Sequence, residues 1–470
     1  MRLLLFPMAA SHPPRTTPVL ARGFMVARSA ARPVAPPWRW TGLVSGGRRA
    51  SARLLAARRR DGAWQGTGAR RKGFAAAAES AADCDAAEST QGGPHALLVD
   101  ATSLAYRAHF AMAAQDLTVP HADGSVRTGA IHGFVSSILT LLETTDATHL
   151  LLVFDAPGAT FRHQLYPLYK AQRPAFPDDL KEALPNIKDV VDALGWPMAE
   201  VPGVEADDVL GTAATKLAEY WRGQKELSSF TVSIVSPDKD FFQLLGDGVQ
   251  VVRPLTAKSV AKLRKDMKAA GRPPPTMYGD KFHVYTADDF RANWEGLEPR
   301  QFADVLALCG DQSDNIPGVR GIGAKTAPGI VAAFGSAERA AEAAQAGGDE
   351  VPAGMSARAH KLLGDDGALA AVQVCKELVT IRTDLKIPHL RHGLQGRTCG
   401  IDALTGDFYF EEPAVPSSAD HGIMSLAASC QWPSPSSDAS SLRSSAVAAL
   451  TKLRMTTAWS RWSQLFDLRS

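Results

Sequence analysis

Five groups of acidic residues punctuate this chain: Asp100; Asp155; Glu205-Ala-Asp207-Asp208; Asp238-Lys-Asp240; and Asp311-Gln-Ser-Asp314. Each alone has a plainer role. An aspartate at a strand end can cap the next helix, acids in a first turn suit the helix dipole, and Asp238 and Asp240 can be turn residues. Their joint pattern asks for more, because adjacent carboxylates repel unless something positive lies between them. Glu205 and Asp208 are three apart and share a helical face, and Asp238 and Asp240, two apart, fall on one side if the chain stays extended beyond the strand. Hard oxygen donors without neighbouring His or Cys select Mg²⁺, with Mn²⁺ as a substitute, over zinc. Magnesium keeps several waters, so some of the nine carboxylates would hold that water instead of the ion. Two such ions about 4 Å apart would clamp a phosphodiester, one activating water and the other stabilising the leaving oxygen.

The elements that must position these groups are legible. Ala96–Val99 is an apolar run ending at Asp100, Leu150–Phe154 ends at Asp155, and Phe230–Val235 stops just before Asp238. Helical spacing covers Gly129–Glu143, Asp179–Leu194 and Val204–Trp221. Short buried strands alternating with amphipathic helices predict an α/β fold with a largely parallel sheet, whose ligands bind outside the carboxyl ends of the strands. From about Phe302 to Thr383 the pattern is all-helical. The Ser- and Ala-rich tail 413–470, with Trp432, Trp459 and Trp462 isolated in it, is expected to be disordered.

Charge is unevenly spread. Residues 1–94 carry fifteen Lys and Arg against five Asp and Glu, which leaves 36 basic and 44 acidic residues in the remainder. A mildly acidic body is not the usual footprint of a nucleic-acid binder, unless it gathers carboxylates to hold cations. The first acidic residue is Asp61; the Arg-rich stretch 1–72 before a linker (73–94) is expected to be an organellar transit peptide, for chloroplast or mitochondrion. A retained basic arm, or a short secretory signal at Leu3–Ala10 interrupted by Pro7, are the other readings. Five scattered cysteines without a C-x-x-C pair argue against a disulfide framework and a zinc site. No apolar run is long enough to span a bilayer.

Leu-Leu-Val-Asp100 with Leu104-Ala-Tyr-Arg107-Ala, Val153-Phe-Asp155, Gly203-Val-Glu205-Ala-Asp207-Asp208, Asp238-Lys-Asp240 and Gly310-Asp311-Gln-Ser-Asp314-Asn-Ile-Pro-Gly318 occur in that order. Over about His95 to Thr383 the chain closely resembles the 5′-nuclease domain of bacterial DNA polymerase I and its stand-alone relatives in phages and plant organelles, within the flap endonuclease superfamily. The resemblance implies a PIN-like catalytic domain with an arch (95–300), then a helical helix-hairpin-helix subdomain (301–412). It implies a Mg²⁺-dependent 5′-3′ exonuclease and flap endonuclease acting on 5′ flaps, nicked or gapped duplex and RNA–DNA primers. The nine carboxylates become the two-ion set, with Asp100, Asp155, Glu205, Asp207 and Asp208 nearest the catalytic ion and Asp238, Asp240, Asp311 and Asp314 completing the pair. Lys170 and Arg173 face the scissile phosphate and Arg107 assists behind Asp100.

Gly318-Val-Arg-Gly321-Ile-Gly323-Ala-Lys325-Thr326 follows directly, and its glycines let backbone N–H groups approach a phosphate. By resemblance this is the helix-hairpin-helix grip on duplex backbone, where family members can hold a monovalent cation. Pro328-Gly329 departs from the expected second helix. Thr160-Phe-Arg162, Tyr166 and Leu168-Tyr169-Lys170-Ala-Gln-Arg173 interleave aromatic and basic residues, as a solvated loop or a single-strand-binding segment does. Arg162 and Tyr169 are accordingly expected to contact DNA, with Gly321, Gly323, Lys325 and Thr326. Residues 253–285 look longer than the usual connection and are basic, which fits a solvated surface helix or an added DNA contact. The competing functions are a PIN-like ribonuclease, a DNA-binding homologue without catalysis, and a polymerase with a nuclease front end. Only 58 residues follow Glu412, too few for a polymerase domain, so any organellar polymerase would be a separate chain and this one a monomer without membrane association.

Overall fold

β1 (His95–Asp100) is buried along its whole length, as a central strand covered on both faces must be. The chain continues through α1 (Ala101–Met112), the hairpin β2 (Thr118–His121) and β3 (Gly124–Arg127), α2 (Gly129–Thr144), β4 (His149–Asp155), α3 (Phe161–Leu165), α4 (Asp178–Ala193) and β5 (Met198–Val201). It then forms α5 (Ala206–Gly223), β6 (Thr231–Val235), β7 (Val249–Pro254), α6 (Ala257–Ala269), β8 (Met277–Tyr278) and β9 (Phe282–Tyr285). Helices α7 (Ala287–Asn293), α8 (Phe302–Cys309), α9 (Ala327–Phe334), α10 (Ala337–Ala346), α11 (Ala357–Leu363) and α12 (Ala368–Val379) follow. Last come β10 (Leu390–Arg391), β11 (Thr398–Ile401) and β12 (Phe408–Phe410), and two C-terminal helices, Ala439–Lys452 and Thr456–Arg469. The computed structural model describes residues 93–113, 118–121, 124–225, 227–386, 390–391, 398–401, 408–410, 439–453 and 455–469. The expected transit peptide and nearly all of the expected linker lie outside the described residues.

Five parallel strands in the order β5-β4-β1-β6-β7 form the centre of a ten-stranded sheet, with antiparallel β9-β8 at one edge and β10-β11-β12 at the other. Alternation along each strand sorts the core. Leu98, Leu151, Val153 and Ile234 face α5 and the helical region, while Leu97, Val99, Leu150, Leu152 and Val235 face α1, α2 and α4. The chain leaves β1 toward β4 and β5, then returns to the other side for β6 and β7. That reversal opens a crevice at the carboxyl ends of β1, β4 and β6, the general binding place in such sheets.

Helices α8 to α12 pack against the face that carries α5, within the same core. Asp304 of α8 ties them together, accepting from the Ala337 N–H (2.9 Å) at the start of α10 and pairing with Lys376 of α12 (2.8 Å). Two expectations are corrected here. The described segments Leu390–Arg391, Thr398–Ile401 and Phe408–Phe410, assigned from sequence to the helical subdomain, extend the sheet beyond β5. Part of the tail assigned to disorder is an ordered helical hairpin. Its Ala446, Leu450, Met455 and Trp462 are buried in the core shared with α2 and α4, and Arg461 grips Glu143 of α2 with two bonds of 2.6 Å. Burial of Trp462 alone is worth about 2–3 kcal/mol. Residues 411–438 lie outside the described residues.

Candidate active site

The carboxylates begin as helix caps. Asp100 is the N-cap of α1, its Oδ1 accepting from the Ser103 N–H at 2.9 Å, while Oδ2 accepts from Ser236 Oγ at 2.9 Å. Asp155, exposed at the end of β4, accepts from the Ala206 N–H and so caps α5 from a neighbouring strand (2.9 Å). Glu205 is the N-cap of α5 and forms a capping box with Asp208. Capping orients these carboxylates at the sheet edge. It consumes one oxygen or lone pair of each, so the plain role and the chemical one coexist.

The acidic residues then divide by partner. Asp208 is 0 % exposed, and Arg162 embraces it through bonds of 2.6 and 2.8 Å, while the Arg382 and Glu205 N–H groups complete its oxygens. Glu205 receives Lys170 Nζ at 2.6 Å and lies 3.0 Å from the Tyr169 hydroxyl. Asp314 lies 2.9 Å from the same hydroxyl and pairs with Arg173. Asp311 pairs with Lys239 at 2.8 Å; burial opposes its charge, but Lys239 more than offsets this and holds the carboxyl below its ordinary range.

Asp100, Asp155, Asp207, Asp238 and Asp240 form no ion pair within 4 Å among the described residues. Burial and then the charge of Asp155 push Asp100 up to about 6. Burial and then Asp100, Asp238 and Glu205 push Asp207 well above the ordinary range, and burial with Asp238 does the same to Asp240. Asp240 Oδ1 is buried with no hydrogen-bond partner. A buried carboxylate oxygen left unsatisfied costs free energy, and an all-oxygen donor set is what a hard divalent cation takes. The residues therefore fit such an ion. Among the described residues no three of these side chains close on one point, so an ion held here would take water for its remaining ligands.

Two family models match the chain: the 5′-3′ exonuclease N-terminal resolvase-like domain over residues 95–270 and the 5′-3′ exonuclease C-terminal SAM fold over residues 297–398. The 5′-3′ exonuclease of Aquifex aeolicus is 34% identical over 241 residues, which are 51% of this chain and 70% of that protein. The chain belongs to the 5′-3′ exonuclease family. It is a nuclease of the hydrolase class. DNA polymerase I of Mycobacterium tuberculosis is 36% identical over 243 residues, 52% of this chain but only 23% of the polymerase. Among solved structures, the flap endonuclease of bacteriophage T5 in complex with DNA and metal ions aligns over 62% of this chain and 90% of its own, at 21% identity and a TM-score of 0.45.

Within this 5′-3′ exonuclease fold, three residue assignments are corrected. Arg162, expected on DNA, is 3% exposed, and its five N–H donors reach Asp208, Glu205 and the carbonyls of Leu378 and Thr380, leaving none for a phosphate. Tyr169, expected to stack on bases, is 3% exposed beneath Lys170, and its hydroxyl serves Glu205 and Asp314. Asp208, expected next to the catalytic ion, has its acceptor sites filled by Arg162 and two backbone N–H groups. The aromatic surface open to solvent is instead Tyr106 and Phe110 of α1, with ring centroids 4.8 Å apart and Phe176 beside Tyr106. Other groups missed from sequence are Ser236, which holds Asp100, and Lys239, which holds Asp311; the latter stood in full view between two quoted aspartates.

The remaining expected contacts are accessible to a ligand. Lys170 is held in the left-handed region (φ 54°) by its N–H to the Asp314 carbonyl and its carbonyl to the Arg173 N–H, strain that fixes where its side chain points. Arg107 lies two turns into α1 on the face that begins at Asp100, half-buried without an acidic partner among the described residues, and burial lowers its pKa. Gly321 (φ 99°), Gly323, Lys325 and Thr326 are exposed, while buried Ile322 anchors their loop. Thr326 Oγ1 occupies the Gly323 N–H at 3.2 Å. Pro328 falls in the first turn of α9, where a missing N–H costs nothing, so the departure noted in the sequence does not break the helix.

Proposed function

We propose that the enzyme is a Mg²⁺-dependent 5′-3′ exonuclease and flap endonuclease that selects DNA by a free 5′ end beside a duplex. The observation that carries this reading is the set Asp100, Asp155, Asp207, Asp238 and Asp240, without close ion pairs among the described residues and with the buried Asp240 Oδ1 lacking a hydrogen-bond partner. These residues would hold the ions, with Glu205, Asp311 and Asp314 at the margin. When bound, two divalent ions would neutralise the scissile phosphate and lower the pKa of the attacking water. The chain's own residues supply the rest. Lys170, resting on Glu205, is a point charge that can transfer to developing negative charge, whereas Arg173 and Arg107 orient phosphates. Tyr106 and Phe110 offer a stacking face for a single strand. The glycine loop with Lys325 would follow duplex backbone without reading bases, and a monovalent cation bound there is part of the same proposal.

Incubation of the protein and Mg²⁺ with 5′-labelled flap, nicked, gapped, single-stranded and RNA–DNA substrates tests the reading. Cleavage restricted to free 5′ ends is expected. Equal cutting of blocked flaps or circular single strands would refute end selection, RNA-only cleavage would favour a PIN-like ribonuclease, and inactivity with intact DNA binding would favour a non-catalytic homologue. We further propose an organellar role in replication and repair, including RNA primer removal, as a monomer beside a separate polymerase. The Arg-rich, acid-poor stretch 1–72 supports the location. Native protein should begin between Asp61 and His95; an intact Met1 would overturn this.

A further inference from the structure

Helix α6 is far more basic than its packing requires. Val260 and Met267 are buried and Leu263 is half-buried, an inward stripe at i, i+3 and i+7. Thr256 caps the helix by accepting from the Ser259 N–H at 3.1 Å, which defines its start. The outer arc carries Lys258, Lys262, Arg264, Lys265 and Lys268, all exposed, against the single exposed acid Asp266. None of the five forms an ion pair among the described residues, whereas nearby Arg272 is committed to Asp289 at 2.7 Å. A helix face that is merely solvated normally interleaves acids four residues before its bases; this one does not. Lys258 even occupies the first turn, where the helix dipole disfavours a cation and no acid is present. This concentration of charge sits on a body in which acids outnumber bases by 44 to 36 from residue 95 onward.

Topology places the helix beside the site. β6 and β7 are parallel neighbours, with Val235 opposite Val252, so β7 ends at the same sheet edge as the Asp238 turn. Arg253 of β7 reaches the Pro237 carbonyl across that edge at 3.4 Å. α6 begins at Ala257, just beyond β7, and spans about 20 Å, long enough to follow roughly six base pairs of backbone.

We infer that α6 is a second duplex-binding surface, which grips phosphates of the double-stranded arm next to the cleaved 5′ end. The inference rests on the nuclease reading above. A one-sided cationic arc and a start just beyond the strand end that carries the carboxylate turn favour a nucleic-acid backbone over an acidic protein or a lipid surface. Contacts of this kind are sequence-independent and release counterions.

The test compares wild type with K258Q/K262Q/R264Q/K265Q/K268Q, and with K262E/K265E as a smaller change, after thermal melts confirm folding. Binding to a double-stranded oligomer with a 5′ flap, measured with Ca²⁺ in place of Mg²⁺, should weaken about tenfold or more for the fivefold variant. The slope of log affinity against log salt should become shallower by about three to four. Binding to a single-stranded oligomer and the rate at saturating substrate should stay within twofold. Unchanged duplex affinity and salt slope would overturn the proposal. So would wild-type binding to phosphatidylserine vesicles that the variant loses while duplex affinity holds, since the face would then be assigned to lipid. If wild type cleaves no 5′-ended DNA, the nuclease reading fails separately, and the duplex-binding comparison still decides the role of α6.

Discussion

Two halves of one acidic cluster have been given opposite electrostatics. Asp208, Glu205, Asp311 and Asp314 are met by Arg162, Lys170, Arg173 and Lys239, whereas Asp100, Asp155, Asp207, Asp238 and Asp240 form no close ion pair among the described residues and feel Lys170 and Lys239 only at longer range. Both halves lie at one sheet edge, so burial alone does not explain the difference. In the paired half Asp208 is finished by the chain itself, and Glu205, Asp311 and Asp314 are neutralised at the margin of the site. The unpaired half is left with excess negative charge that folding must tolerate, which makes it the place where free energy waits for a cation.

The strongest way to break this comparison is to neutralise the unpaired half. Asp207→Asn, or Asp238→Asn with Asp240→Asn, should reduce single-turnover cleavage of a 5′-labelled flap by about 10³-fold. The same variants should melt no lower than wild type in EDTA, because each removes a repulsive charge. Near wild-type cleavage would show that these groups hold no essential ion. Next comes the paired half. Arg162→Met should cost about 3–5 kcal/mol in urea unfolding by stranding buried Asp208, and Arg162→Met with Asp208→Leu should recover most of that loss. A mild effect of the single change would mean that Asp208 is not a buried structural anion.

Lys170 stands between the halves. Lys170→Ala should lower the cleavage rate by roughly 10²-fold with little change in stability, because Glu205 keeps Arg162 and the Tyr169 hydroxyl as partners. A large fall in melting temperature with an unchanged rate would place it wholly in the structural half. The smallest effect is thermodynamic. Adding Mg²⁺ at about 100 times its Kd should stabilise wild type by roughly 2.7 kcal/mol over the EDTA form, and this gain should vanish in Asp207→Asn. Equal gains in both would detach the ion from the unpaired set.

Much of this is legible in the sequence. Apolar runs ending at Asp100 and Asp155 mark parallel strand ends because a strand buried on both faces leaves no polar position until it emerges. The same logic gathered the carboxylates correctly at one edge. It could not divide them, since the dividing cations come from elsewhere: Arg162 is 46 residues from Asp208, and Arg173 is 141 from Asp314. Interleaved aromatic and basic residues look alike whether they face solvent or carboxylates, so Arg162 and Tyr169 were assigned outward. The C-terminal hairpin was missed for another reason. Ala446, Leu450 and Leu453, then Met455, Ala458, Trp462 and Leu465, keep helical spacing, but small and Ser-rich neighbours dilute the signal.

The loop that carries Asp311 and Asp314 closes where Gly310 (φ 71°) and Gly318 (φ 59°) pass backbone against backbone. A methyl group at Gly310 would overlap the Ile316 carbonyl, and one at Gly318 would overlap Gly310 itself. Neither glycine bears a functional group, yet the position of two acidic side chains depends on both. A survey of inactivating variants should therefore find Gly310 and Gly318 among the least replaceable positions, ranked with residues that perform the chemistry. The loop works as a clasp whose pin contains no chemistry at all.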